Sequence, residues 1–83
     1  MLTVKVKLVA GELFPGMENA EYEVANGTSV RDLLSLCEER YNVTLPQENF
    51  KLMYPLLEGK PLTLDGEITK SGTLHMCRVV MGG

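Results

Sequence analysis

Thr73-Leu-His-Met-Cys-Arg-Val-Val-Met-Gly-Gly83 is the stretch on which the reading of this chain turns. Its first part is a hydrophobic strand, expected to run from Thr73 to Val80. Under the two-residue period of extended backbone, Leu74 and Met76 face one way and His75 and Cys77 the other. Met81 and a pair of glycines follow. Glycine lacks a Cβ, so a Gly-Gly segment passes through a narrow channel and takes any φ. The expectation is a domain over residues 1–80 and a flexible tail over 81–83. Gly83 would be the site of covalent attachment through its carboxylate, and Gly82 and Met81 the residues gripped by a partner. The plainer alternative is a frayed end, and the two are separated by what the rest of the chain is built to do.

Residues 2–9 alternate in the same way, Leu2, Val4, Val6 and Leu8 against Thr3, Lys5, Lys7 and Val9. This predicts a half-buried strand with lysines outward. Gly11, Pro15 and Gly16 mark a loop, Tyr22 to Val24 a second strand, and Asn26-Gly27 a turn. Ser29 and Asp32 form an S-x-x-D variant of the capping box ahead of Val30, Leu33, Leu34 and Cys37. Those four lie at i, i+3, i+4 and i+7, the stripe of an amphipathic helix from Val30 to about Arg40, stopped by Asn42 and Pro46. Phe50 to Tyr54 reads as a third strand and Leu62 to Leu64 as a short fourth, with Ile68 packed beneath a turn at 70–72. The order is β-β-α-β-β-β: an α+β domain with one helix on a mixed sheet. The long apolar first and last strands are expected at its centre, side by side and parallel. That placement anchors the root of the tail.

Length and composition exclude more than they assign. The 83 residues make one domain, and a net charge of −3 gives no footing for nucleic acid. No apolar run approaches the ~20 residues of a membrane span, and residues 1–7 alternate too strictly for a signal peptide. Cys37 and Cys77 form no C-x-x-C pair, which suits a reduced, cytoplasmic setting. Cys37 belongs to the helix stripe and is expected in the core. Cys77, on the opposite side of its strand from Leu74 and Met76, is expected on the open face of the sheet.

Lys51-Leu-Met-Tyr54, Gly59-Lys60-Pro61-Leu62, Ser71-Gly-Thr-Leu-His75 and Gly82-Gly83 follow the ubiquitin pattern in residue type and order. Val4-Lys-Val-Lys-Leu8 and Gly27-Thr-Ser-Val-Arg-Asp-Leu-Leu34 are closer to the prokaryotic sulfur carriers. The chain thus resembles the β-grasp proteins of the ubiquitin superfamily over essentially its whole length. Its N-terminal half looks like the small subunit of molybdopterin synthase and the thiamine sulfur carrier. It departs from ubiquitin in having apolar Val79-Val80-Met81 in place of arginines. It departs from the carriers in having Ser71-Gly72-Thr73 before the last strand and no proline after it.

The resemblance implies a protein that is acted upon. An ATP-dependent activating enzyme would join the Gly83 carboxylate to AMP. Sulfur transfer would then give a thiocarboxylate for molybdopterin or thiamine synthesis; attack by a lysine amine, after a thioester, would make a protein modifier. Both alternatives stay open, as does a non-covalent interaction module. ATP would be used by the partner, and the chain itself would bind no cofactor. Further expected partners are a synthase large subunit or conjugation targets, and the free protein is expected to be a monomer. No catalytic constellation and no Cys/His cluster with metal-ligand spacing is present in the sequence. Met53, His75 and Cys77, with Lys5 and Lys7 nearby, are the expected docking surface.

Overall fold

Alternation in β1 (Leu2–Leu8) sorts its side chains between core and water: Val4 and Val6 are buried, Thr3, Lys5 and Lys7 exposed. The structure is a computed structural model that describes residues 1–80, so the tail expected at 81–83 lies outside the described residues. After β1 come β2 (Ala20–Val24), β3 (Thr28–Ser29), α1 (Val30–Tyr41), β4 (Met53–Leu57), β5 (Lys60–Pro61), β6 (Glu67–Ile68) and β7 (Gly72–Arg78). Five strands form one sheet in the order β2-β1-β7-β4-β5. β1 and β7 run parallel at its centre, with Val6 beside Leu74 and Leu8 beside Met76. The remaining pairs in this sheet are antiparallel. The expected one-helix, mixed-sheet architecture is the one observed.

The helix stripe packs as its spacing requires. Val30, Leu33, Leu34 and Cys37 are all buried, against Val4, Val6, Leu74 and Met76 of the central strands. Ser29 caps the N-terminus, its Oγ accepting from the Asp32 N–H at 3.1 Å. The next orphan donors are met by a loop: Val30 N–H donates to the Gly66 carbonyl and Arg31 N–H to that of Leu64. Arg31 also pairs with Asp65 at 2.9 Å, tying the loop to the start of α1. Asn42 ends the helix in the left-handed conformation at φ 53.

Three expectations are corrected. Residues 47–51, which take in Phe50 and Lys51 of the expected third strand, form a 3-10 turn closed by Asn49 N–H to the Pro46 carbonyl and Leu52 N–H to that of Asn49. The turn is held to the first loop by Asn49 Nδ2, which donates to the Leu13 carbonyl. The strand therefore begins at Met53. Pro55 is tolerated inside it because its nitrogen faces the side of β5, past the end of that two-residue strand, where no ladder bond is lost. Leu62 to Leu64 is not a strand; the added short strands are β3 and β6, paired as a separate two-residue ladder. β7 ends at Arg78, two residues before the expected Val80.

β4 and β5 are joined by Glu58-Gly59, both with positive φ (49 and 80), the signature of a type I′ hairpin turn. Glu58 then reaches across to β7: its N–H donates to the Thr73 carbonyl at 3.0 Å and its Oε2 accepts from the Thr73 N–H at 2.8 Å. That carboxylate lies directly over Gly72, where an added Cβ would come within 2.6 Å of Glu58 Cγ. The start of the central strand is thereby clamped.

Among the described residues one buried side-chain polar group is left without a geometric hydrogen-bond partner, the hydroxyl of Tyr22. Its ring lies under the Arg40 guanidinium at 5.2 Å. Burial, and then the adjacent Cys37, push the phenol well above its ordinary value of 10.0. Burial likewise pushes the Cys37 thiol up. Below pH 10 the phenol is neutral in both states and its contribution to stability is intact. As pH rises further the unfolded chain loses its proton first, so stability falls until the raised folded value is passed. Urea unfolding at about pH 8 and about pH 11 is expected to show a larger alkaline loss in the wild type than in Tyr22→Phe. Equal losses would mean that Tyr22 is not buried as described.

Candidate functional site

α1 covers one face of the sheet and leaves the other to solvent. On that open face the register aligns side chains in rows. Glu21 on β2, Lys5 on β1 and Thr73 on β7 form one row; Lys7, His75 and Leu56 form the next; Cys77 and Tyr54 the third. His75 is half-buried between Lys7 and Leu56, and Cys77 is half-buried beside Tyr54. The face thus carries the carboxylates of Glu21 and Glu23 over β2, lysines beside them over β1, and an apolar half over β7 and β4. Such a surface suits a protein partner with carboxylates on one side of its footprint and apolar groups on the other.

Four of the five expected docking residues, Lys5, Lys7, His75 and Cys77, lie on this face. Met53 does not. It is 4% exposed and belongs to the core cluster on the helix side of the sheet. The reason is geometric: side chains alternate between faces, so Met53, Pro55 and Leu57 point into the core while Tyr54 and Leu56 point out. Tyr54 and Leu56 are the residues missed. Their signal is the pairing with β7, Tyr54 opposite Cys77 and Leu56 opposite His75, which becomes readable once the strand is started at Met53.

The end of β7 is fastened on both sides. Ala10 N–H donates to the Met76 carbonyl at 3.2 Å, and Val79 N–H to the Leu52 carbonyl at 2.8 Å. Arg78 pairs with Glu12 at 3.3 Å. One residue past this last backbone bond, Val80 is 87% exposed. Val9 and Tyr54, at 62% and 38% exposure, stand at the same end of the sheet, so the chain leaves the domain amid exposed apolar side chains. Met81, Gly82 and Gly83, the expected gripped and reactive residues, lie outside the described residues. Among the described residues no group of three or more His, Cys, Asp or Glu side chains is placed to hold a metal ion. Among the described residues no helix is long and apolar enough to cross a membrane.

No family model and no curated protein sequence matches the chain. Solved structures do. A Pyrococcus furiosus protein assigned as molybdopterin converting factor subunit 1 superposes with a TM-score of 0.64 at 22% identity, covering 96% of this chain and 100% of that one. SAMP1 from Haloferax volcanii superposes with a TM-score of 0.63 at 17% identity, covering 98% of this chain and 99% of that one. ATBAG1, solved in complex with HSP70, gives a TM-score of 0.58 at 10% identity over 94% of this chain and 40% of that one. With one helix packed on a mixed sheet, parallel β1 and β7 at its centre, and near-complete superposition on two small proteins of its own size, the chain has the ubiquitin-like β-grasp fold.

Proposed function

We propose that this protein is a sulfur carrier whose Gly83 carboxylate is adenylated by a separate activating enzyme and converted to a thiocarboxylate for molybdopterin or thiamine synthesis. The observation that carries the reading is the fastening of β7. The central strand is held up to the Val79 N–H, and the Gly-Gly pair follows within four residues. A rigid root close behind a segment without side chains is what delivery of a carboxylate into an enclosed site requires. The fold likeness to a molybdopterin converting factor subunit supports the carrier reading over the others. Conjugation to lysines as a protein modifier is the second reading, favoured by the ubiquitin-type residues of 51–75 and by the likeness to SAMP1.

The chemistry is that of an activated acid. A carboxylate is a poor acyl donor because oxide is a poor leaving group. Attack of a carboxylate oxygen on the α-phosphate of ATP expels pyrophosphate and leaves an acyl adenylate. Hydrosulfide then attacks the carbonyl, AMP departs with the bonding pair, and loss of the S–H proton to water leaves the thiocarboxylate. The partner enzyme supplies the catalysis, while this chain supplies position and recognition. The open face docks: Lys5, Lys7 and His75 meet the partner's carboxylates, and Leu56, Tyr54 and Cys77 its apolar surface.

Leu56→Ala and Tyr54→Ala are each expected to weaken docking to the activating enzyme by about 1 kcal/mol or more, measured by calorimetry. His75→Ala acts in the same direction, whereas Met53→Ala acts through stability alone. Docking unchanged by both Leu56→Ala and Tyr54→Ala would move the interface elsewhere.

The reading needs a free carboxylate on Gly83, and intact mass of the protein purified from its native cell tests it. A fraction heavier by the difference between one sulfur and one oxygen atom is the carrier result. A ladder of high-mass adducts is the modifier result. A chain that continues past Gly83 in its mature form contradicts both.

A further inference from the structure

β2 stops short of the end of β1, and a side chain takes the place it leaves. The last paired positions are Val6 and Ala20. Beyond them the Leu8 N–H finds no strand carbonyl and donates to Asn19 Oδ1 at 2.7 Å. A cleft of about 350 Å³ opens there, with Lys5, Val6 and Lys7 on one side and Asn19, Ala20 and Glu21 on the other.

Most polar groups of this cleft are donors with nothing to donate to. Lys5 and Lys7 are both exposed. Among the described residues the ion pairs are Arg31 with Asp65 and Arg78 with Glu12, so neither lysine is in one. Asn19 Oδ1 is committed to Leu8, which fixes the amide and leaves its Nδ2 with two hydrogens to offer. The one side-chain carboxylate is that of Glu21, opposite Lys5. Two ammoniums against one carboxylate give the cleft a single positive charge.

We infer that the cleft seats one aspartate or glutamate side chain of the activating enzyme, and that Asn19 helps to select it. The inference rests on the docking reading above and names one contact within it. The partner's carboxylate lies between the two lysine ammoniums, and Asn19 Nδ2 donates to one of its oxygens. Ala20 and the lysine stems cover its methylene groups. Glu21 on the far wall repels a second acid, so the fit is to a lone carboxylate and not to an acidic run. Asn19 thus has two roles through two atoms: Oδ1 completes the β1 ladder and Nδ2 meets the partner.

Asn19→Asp separates these roles. It keeps an acceptor for the Leu8 N–H and replaces the donating NH2 by a second carboxylate oxygen beside Lys7. Binding to the cognate activating enzyme, measured by calorimetry at low salt, should weaken about tenfold or more. The Leu8 amide should stay protected from hydrogen exchange. In ATP–pyrophosphate exchange the variant should raise KM for this protein and leave kcat unaltered. Lys7→Gln touches no hydrogen bond of the fold and should weaken binding in the same direction, which repeats the test if Asn19→Asp disturbs β1. Asn26→Asp adds the same charge at an exposed turn and should change neither binding nor KM. With Gly83 deleted, Asn19→Asp should cause the same loss of binding, so the cleft is read even where exchange is absent. Affinity unchanged by Asn19→Asp and Lys7→Gln would overturn the inference while leaving the docking reading in place. An equal loss from Asn26→Asp would reduce the effect to net charge and overturn it too. Absence of binding by the wild-type chain would overturn the docking reading and the inference together.

Discussion

Replacing Leu34 by alanine is expected to cost about 2–5 kcal/mol of stability, the range for truncating a buried leucine. Leu34 is fully buried on the inward stripe of α1, in one cluster with Val4, Val6, Leu74 and Met76. A chain of 83 residues has a total stability on the order of 4–12 kcal/mol, so this single change removes a large share of it. Urea denaturation should show a lowered midpoint with an unchanged slope, since the surface exposed on unfolding hardly changes. A loss under about 0.5 kcal/mol, the size of an ordinary surface effect, would mean that the helix does not pack by this face.

That prediction rests on the most legible part of the chain. In α1 the capping serine, the 3.6-residue stripe and Asn42 all point to the same element, and the buried residues are the four that the stripe names. β1 and β7 were equally plain because a strand buried on one face must alternate. The segment from Phe50 to Leu57 was not. Apolar residues at 50, 52, 53, 56 and 57 match no single period, and Pro55 argues against a strand unless its missing N–H falls beyond a neighbour's end. The start of β4 is set instead by the 3-10 turn and by Asn49 reaching the Leu13 carbonyl, contacts between distant residues that no local pattern records. The misplacement carried into the site. In a strand the face alternates with every residue, so the same reading that exposed Met53 hid Tyr54 and Leu56. Leu13, Phe14 and Leu45 join the core from loops and lie outside any periodic signal. The side-chain directions of Lys5, Lys7, His75 and Cys77 are legible because they depend only on the alternation of β1 and β7.

Tail substitutions should separate function from folding most sharply. Gly82→Val is expected to block transfer from Gly83, because a branched side chain fills the partner's channel and restricts φ. One residue added after Gly83 should do the same by moving the carboxylate out of register with the ATP α-phosphate, since near-attack geometry tolerates little displacement. Both variants should keep wild-type stability within about 0.5 kcal/mol, as surface changes away from packed features do. Thiocarboxylate yield after incubation with the activating enzyme, ATP and a sulfur donor reads the loss, and the urea midpoint verifies the fold. Normal yield from Gly82→Val would remove the argument for a narrow channel.

The proposed function stands or falls on whether the Gly83 carboxylate is the group activated, and ATP–pyrophosphate exchange by the cognate activating enzyme measures that step alone. With the full chain, labelled pyrophosphate should enter ATP at a rate that depends on the concentration of this protein. With Gly83 deleted, exchange should fall to the enzyme's background although the domain remains folded. Exchange at the wild-type rate by the deleted chain would show that activation does not use this carboxylate and would contradict the carrier and modifier readings together.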